Sequence, residues 1–140
     1  MLEERVVLVV GYRAEQIEEH LSGKNNLPVE TLYNPFYDIS NDLVSLWTAR
    51  SYMSEPFIVL NGDDVFVPKV LSDLMKASGD VCAVIDRKES YDLDDMKVVT
   101  EGQRLVTLSK EIPLEAATGE SIGMIRFQGE GGSHMRNALE

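Results

Sequence analysis

The run Ile58-Val59-Leu60-Asn61-Gly62-Asp63-Asp64 carries an apolar, strand-like stretch straight into an amide, a glycine and two carboxylates. In open α/β sheets, ligands bind beyond the carboxyl ends of strands. Glycine lets the backbone turn and lets a ligand come close, so Asn61 and Gly62 are candidate nucleotide contacts. Magnesium takes one or two carboxylates together with phosphate oxygens and water. Asp63 therefore suits a ligand to Mg2+ that clamps a nucleoside triphosphate. The same residues also suit a plain turn, since Asn-Gly and Asp-rich stretches favour turns. Asp64 suits a charge leading into a helix.

A second candidate is Tyr33-Asn34-Pro35-Phe36-Tyr37-Asp38-Ile39-Ser40-Asn41-Asp42, unusually aromatic and amide-rich for a connector. Loops of this kind often line sites. Asn41 offers a donor and an acceptor to a base edge or a ribose, and a helix starting there offers backbone N–H groups to a phosphate. The competing reading is structural: Ser40 or Asn41 caps the helix, and Tyr33, Phe36 and Tyr37 cover the core.

Three further places carry weaker signals. Lys110 suits a mobile point charge for phosphate, though most lysines are solvated. Glu120 suits a carboxylate for a cationic substrate, or plain surface. Tyr91-Asp92-Leu93-Asp94-Asp95 joins an aromatic ring to acids, the combination that holds a quaternary ammonium; an exposed acidic loop reads the same. His20 and His134 lie far apart with no nucleophile or ligand pattern around them, which argues against a catalytic triad or a zinc site.

The elements that must position these residues follow from pattern. Arg5 to Val10, Phe57 to Leu60 and Val81 to Ile85 read as buried strands, Val29 to Leu32 as a short one. Ala14 to Leu21 reads as a helix, with Ile17 and Leu21 on one face. A second helix starts near Ser40 to Asp42, turning Leu43, Leu46 and Trp47 to a core. A third starts at Pro68, with Leu71, Leu74 and Met75 as its stripe. Met96 to Thr100 and Arg104 to Leu108 form a hairpin around Glu101-Gly102-Gln103. Ser121 to Phe127 is a last strand, Gly129 to Gly132 a flexible turn, and a helix follows. This alternation predicts an α/β, Rossmann-like fold with a mostly parallel sheet and a mixed edge. Residues 1–140 read as a single partial domain, incomplete at both ends.

Composition sets the outer limits. The 140 residues are 44% hydrophobic and 26% charged, with a formal net charge of -11. An acidic surface repels phosphate backbones, which excludes nonspecific binding to nucleic acid. A divalent ion still bridges carboxylates to small phosphorylated substrates. No apolar run is long enough to span a bilayer. The lone Cys82 sits in an apolar run and reads as a buried core thiol. A cytoplasmic location is the default.

These residues carry a resemblance. Val9-Val10-Gly11-Tyr12-Arg13-Ala14-Glu15-Gln16-Ile17 resembles a strand and helix of sugar-nucleotide pyrophosphorylases and their relatives. Asn34-Pro35-Phe36-Tyr37-Asp38-Ile39-Ser40-Asn41-Asp42-Leu43-Val44-Ser45-Leu46 is more specific: it resembles the base-binding segment of phosphocholine cytidylyltransferases. Phe57 to Phe66 resembles their metal-binding strand end, and Lys110 to Phe127 their distal substrate segment.

The resemblance implies transfer of a cytidylyl group from CTP to phosphocholine with release of pyrophosphate. Asp63 would then hold Mg2+. Asn41 and Ser45 would lie near the base and ribose, and Lys110 near the phosphates. Glu120 would face the choline side with the loop that carries Tyr91 and Asp94. The family also opens on a glycine-rich, basic loop that wraps the triphosphate. Met1 falls after its place, so this chain is expected to be inactive alone and to self-associate through exposed sheet edges. Asp42 stands where many relatives carry a second asparagine. A sugar-1-phosphate nucleotidyltransferase is the nearest enzymatic alternative, and a non-catalytic nucleotide-binding or oligomerisation remnant the alternative of another class. A receiver-type regulatory domain fits poorly, because Gly11-Tyr12-Arg13 follows the first strand where acids would gather.

Overall fold

A computed structural model describes residues 5–24, 28–54 and 56–140. The chain forms two compact units, Met1–Glu55 with Gly132–Glu140, and Pro56–Gly131.

In the first unit, β1 (Val6–Val10) and β2 (Val29–Tyr33) pair in parallel, with Val6 opposite Val29 and Val10 opposite Tyr33. The crossover between them is α1 (Ala14–Ser22). Ile17 and Leu21 give α1 its half-buried face, and its acids are exposed. After β2 come a loop and α2 (Asp42–Thr48), then a 3-10 turn at Arg50–Tyr52. Val10 and Met53 are buried in this unit. Leu43 and Trp47, expected to face a core, are exposed. Only Leu46 of that trio is half-buried. A helix of seven residues spans two turns and covers little; the Trp47 ring is instead capped by the Arg50 guanidinium, 3.7 Å from its centroid.

The second unit is built on β7 (Gly119–Phe127), the longest strand described. β4 (Val81–Asp86) runs antiparallel along one side of it. Along its other side run β3 (Phe57–Leu60), opposite residues 124–127, and β5 (Lys97–Glu101), opposite residues 119–120, both antiparallel. β5 then pairs with β6 (Arg104–Ser109) in the expected hairpin. The mostly parallel sheet read from sequence is therefore corrected: among the described residues only β1 and β2 are parallel. The apolar runs at residues 57–60 and 81–85 suit either sense of pairing, and periodicity cannot distinguish them. Both strands are also half-buried rather than buried.

Val98, Met124, Phe127 and Leu74 form this unit's core. Phe57 stacks on Phe127 at 5.0 Å between centroids. Full burial of one such side chain stabilises by about 1.5–3 kcal/mol. Leu74 lies on α3 (Pro68–Lys76), which starts at the proline as expected, although Leu71 and Met75 remain exposed. The buried Arg126 donates to the carbonyls of Met75, Ala77 and Gly79 at 3.0, 2.7 and 3.0 Å. It thereby satisfies the C-terminal end of α3, where helices leave carbonyls unpaired. Cys82 is half-buried, not a sealed core thiol, and its Sγ lies 3.0 Å from the Ser78 carbonyl.

The glycine-rich stretch read as a flexible turn starts a helix, α4 (Glu130–Leu139). Asp80 is the reason. Its carboxylate accepts from the Glu130 amide at 3.2 Å, and a Cβ on Gly131 would sit 2.6 Å from its carbonyl oxygen. Only glycine permits that approach.

Candidate functional site

β3 ends at Leu60, opposite Met124. The next residue continues the ladder for one step: the Asn61 amide donates to the Gly123 carbonyl at 3.2 Å. Gly123 has φ +76°, inside a strand. Between Ala83 and Ile85 of β4, the partners on β7 jump from Ile125 to Ser121. Residues 122–124 thus form a bulge. Bulges re-aim side chains and gather beside active sites. Here the bulge makes room for Asn61, whose Nδ2 lies 2.0 Å from where a Cβ on Gly123 would be.

Beyond Asn61 the chain turns through Gly62 to Asp63, and all three are exposed. The Asp64 amide closes the turn on the Asn61 carbonyl at 3.4 Å. Asp64 Oδ2 is shielded from solvent and has no hydrogen-bond partner among the described residues. No group of three or more His, Cys, Asp or Glu side chains gathers as a metal cage among the described residues. The donor types still fit magnesium, which takes one or two carboxylates with phosphate and water: Asp63 is exposed, and Asp64 Oδ2 is unpartnered.

A second corner forms where β4, β5 and β7 meet. Asp86 and Lys97 both pair with Glu120, on opposite sides of β7. Lys97 is fully buried. Its ammonium donates to the carbonyls of Asp92, Leu93 and Asp95 at 3.3, 3.1 and 3.2 Å. The acidic loop is thus wound around a cation. Asp95 Oδ2 adds a bond from the Asp92 amide at 2.8 Å. Lys88 then bridges Asp95, at 2.8 Å, and Glu120. The two acceptors raise the Lys88 pKa far above the ordinary lysine value. The Lys88 hydrogen bond, followed by the Asp92 amide, lowers that of Asp95.

Beside this network an open depression of about 610 Å³ is lined by Arg87 to Tyr91 and by Leu114, Glu115, Ala117 and Thr118. Tyr91 therefore does line a cavity, Glu120 stands behind Lys88, and Asp94 is exposed on the turn between them. Lys110 is exposed in the turn after β6.

The first unit holds the remaining residues. Asn41 caps α2, its Oδ1 accepting from the Leu43 amide at 3.1 Å; its amide nitrogen remains a donor. Ser45 Oγ accepts from Asn34 Nδ2 at 3.2 Å. Asn34 is 2% exposed, and its Oδ1 also takes the Phe36 amide at 2.9 Å. It thus fixes the loop that leaves β2 against α2. At the end of the neighbouring parallel strand, Gly11 lets the Tyr37 side chain approach to where a Cβ would be 2.3 Å from it. Tyr37 has Tyr12 and Tyr33 each at 6.4 Å. These exposed rings lie at the carboxyl ends of β1 and β2, the position at which open α/β sheets bind ligands. Arg13, the next residue, holds a left-handed backbone at φ 53°, a strain that collects at functional turns.

Sequence reasoning missed Lys88, Lys97, Asn34 and Gly123. Lysine and asparagine carry no pattern that announces burial. Gly123 lies within the Lys110 to Phe127 segment, but a positive φ within a strand leaves no local signature.

No protein-family model matches the chain. Its fold is the α/β fold of a CTP transferase. It superposes on the inositol-1-phosphate CTP transferase from T. maritima with a TM-score of 0.72 and 21% identity, covering 93% of this chain and 54% of that one. In sequence, it is 32% identical over 114 residues to the bifunctional IPC transferase and DIPP synthase of Rubrobacter xylanophilus, 80% of this chain and 26% of that protein. It is 35% identical over 75 residues to the CMP-5'-(3-aminopropyl)phosphonate synthase of Streptomyces rubellomurinus, 53% of this chain and 12% of that protein. The chain thus spans about a quarter or less of the curated relatives it matches.

Proposed function

We propose that residues 1–140 belong to one nucleotidyltransferase domain that moves a cytidylyl group from CTP to a phosphorylated or phosphonylated small molecule. The observation that carries this reading is the similarity over 114 residues to a protein named as an IPC transferase. It coincides with a strand-end loop that offers an amide, a glycine and a carboxylate at residues 61–63.

In this reading the acceptor phosphate attacks the α-phosphorus of CTP and pyrophosphate leaves. The protein aligns the two and neutralises charge as it develops. The tyrosines at the ends of β1 and β2 face the base, with Asn41 and Ser45 nearby. Asn61 and Gly62 let the nucleotide approach β3. Asp63 holds Mg2+, which supplies charge neutralisation on the phosphates. Lys110 adds a mobile positive charge. The corner around Tyr91, Asp94 and Glu120 takes the acceptor. Phosphocholine is one member of this acceptor class, and its cationic head needs ring and carboxylate groups free to face it. The protein works in the cytoplasm in this reading; among the described residues no helix is long and apolar enough to cross a membrane. It also self-associates, a role suited to β6, an edge strand with Leu105, Val106 and Leu108 exposed.

The test is pyrophosphate release by the full-length protein, with CTP and a panel of phosphorylated acceptors. Release that needs both CTP and an acceptor supports transfer. CTP binding without release under any acceptor contradicts it and favours a non-catalytic nucleotide-binding role.

A further inference from the structure

A site for a quaternary ammonium needs an aromatic face and nearby negative charge, both free of other cations. The second unit has the ring of Tyr91 and the carboxylates of Asp95 and Glu120 in one corner. A cation is already there. Lys88 Nζ lies 5.9 Å from the Tyr91 ring centroid, 2.8 Å from Asp95 Oδ2, and in an ion pair with Glu120. Its side chain is 35% exposed, and those of Asp95 and Glu120 are 13% and 23% exposed. The carboxylates are thus largely withdrawn behind the lysine.

Two features hold Lys88 in place. It stands two residues beyond β4, whose last residue Asp86 pairs with Glu120. Asp95 is fixed by the loop wound on the buried Lys97 ammonium, whose three carbonyl acceptors lie at 3.1–3.3 Å. A mobile surface lysine would have neither constraint. The depression beside it keeps hydrogen-bonding groups on its wall, among them Arg87, Glu89, Ser90 and Glu115. With Lys88 set aside, the wall carries one cation, Arg87, and two acids, Glu89 and Glu115, so it has no net positive charge to favour an anion.

We propose that Lys88 determines acceptor specificity: its ammonium fills the place between the Tyr91 ring and the Asp95 and Glu120 carboxylates that a quaternary ammonium would take, and so closes this corner to an acceptor with a quaternary ammonium head. The proposal rests on the cytidylyl-transfer reading for the word acceptor, but the closed cation place stands on geometry alone.

The test is titration with tetramethylammonium, followed by the ring resonances of Tyr91 in the NMR spectrum. The unaltered protein is expected to show no saturable shift. Lys88→Met keeps the apolar stem and removes the charge; it is expected to bind the probe at least about tenfold more tightly, consistent with a cation–π contact. Adding Tyr91→Leu, with the binding of both variants followed by calorimetric titration, is expected to abolish that gain. A saturable Tyr91 shift in the unaltered protein overturns the proposal whether or not the variant folds. So does a folded Lys88→Met protein, judged by its near-ultraviolet circular dichroism, that binds no better. Failure of pyrophosphate release with every acceptor would remove the transferase reading and leave these binding results intact.

Discussion

Asn61 and Gly123 occupy each other's space: the Asn61 amide donates to the Gly123 carbonyl at 3.2 Å, and the Asn61 side chain fills the volume a Cβ on Gly123 would need. The pair joins the end of β3 to the bulge of β7, and so sets the direction in which residues 62–64 leave the sheet. Gly123→Ala is expected to destabilise the protein by about 1–3 kcal/mol, from left-handed backbone strain and displacement of the amide. Chemical denaturation measures this. In an Asn61→Ala background the same substitution should cost less, because only the backbone strain remains.

Lys97 is expected to matter more to the acidic loop than any acid in it. Lys97→Met leaves three carbonyls without their donor and should cost about 2–3 kcal/mol. Hydrogen exchange of residues 92–95 should rise with it. An unchanged loop would mean that the ammonium is not what winds it.

The secondary elements were largely legible in the sequence, and the pairing of the strands was not. Pro68 marked its helix start to the residue, and Phe57–Leu60 was read at its observed bounds. Those signals are local. Whether β3 meets its neighbour in parallel or antiparallel is decided by β7, more than sixty residues later, which no local pattern reports. Asp80 likewise turned a glycine-rich stretch into a helix start from fifty residues away. Asp63 and Tyr91 stood out in the sequence because their types suggest chemistry; the structure leaves Asp63 exposed and puts Tyr91 on the wall of a depression. Lys88 was missed because a lysine among acids looks like ordinary surface until its partners are seen.

Asn41 tests capping against base recognition. Asn41→Ala should lose about 1 kcal/mol of stability with the cap. Asn41→Ser should restore that stability, since serine caps as well. Nucleotide affinity should stay reduced in both variants if the Asn41 amide also meets the base, and recover in Asn41→Ser if the residue only caps.

The Lys88–Asp95 pair gives a pH dependence. The Asp95 carboxyl titrates below its ordinary value, held there by Lys88 and then the Asp92 amide. A depressed carboxyl pKa contributes stability that is present above the unfolded value, about 3.9, and is lost as pH falls through the folded value. Lys88 has the opposite sign: its raised pKa contributes below the unfolded value and is lost only in strong alkali. Stability should therefore fall on acidification below about pH 4, and Asp95→Asn should flatten that part of the profile. Thermal melts across the acid range measure it.

In the proposed reading, the strand end at Asp63 holds a metal-bound CTP. Calorimetric titration with CTP, with and without Mg2+, tests it most directly when run beside Asp63→Asn. Saturable, magnesium-dependent binding is expected, and the substitution should abolish it while the fold, checked by circular dichroism, is kept. Equal binding by both proteins, or binding indifferent to magnesium, would contradict it.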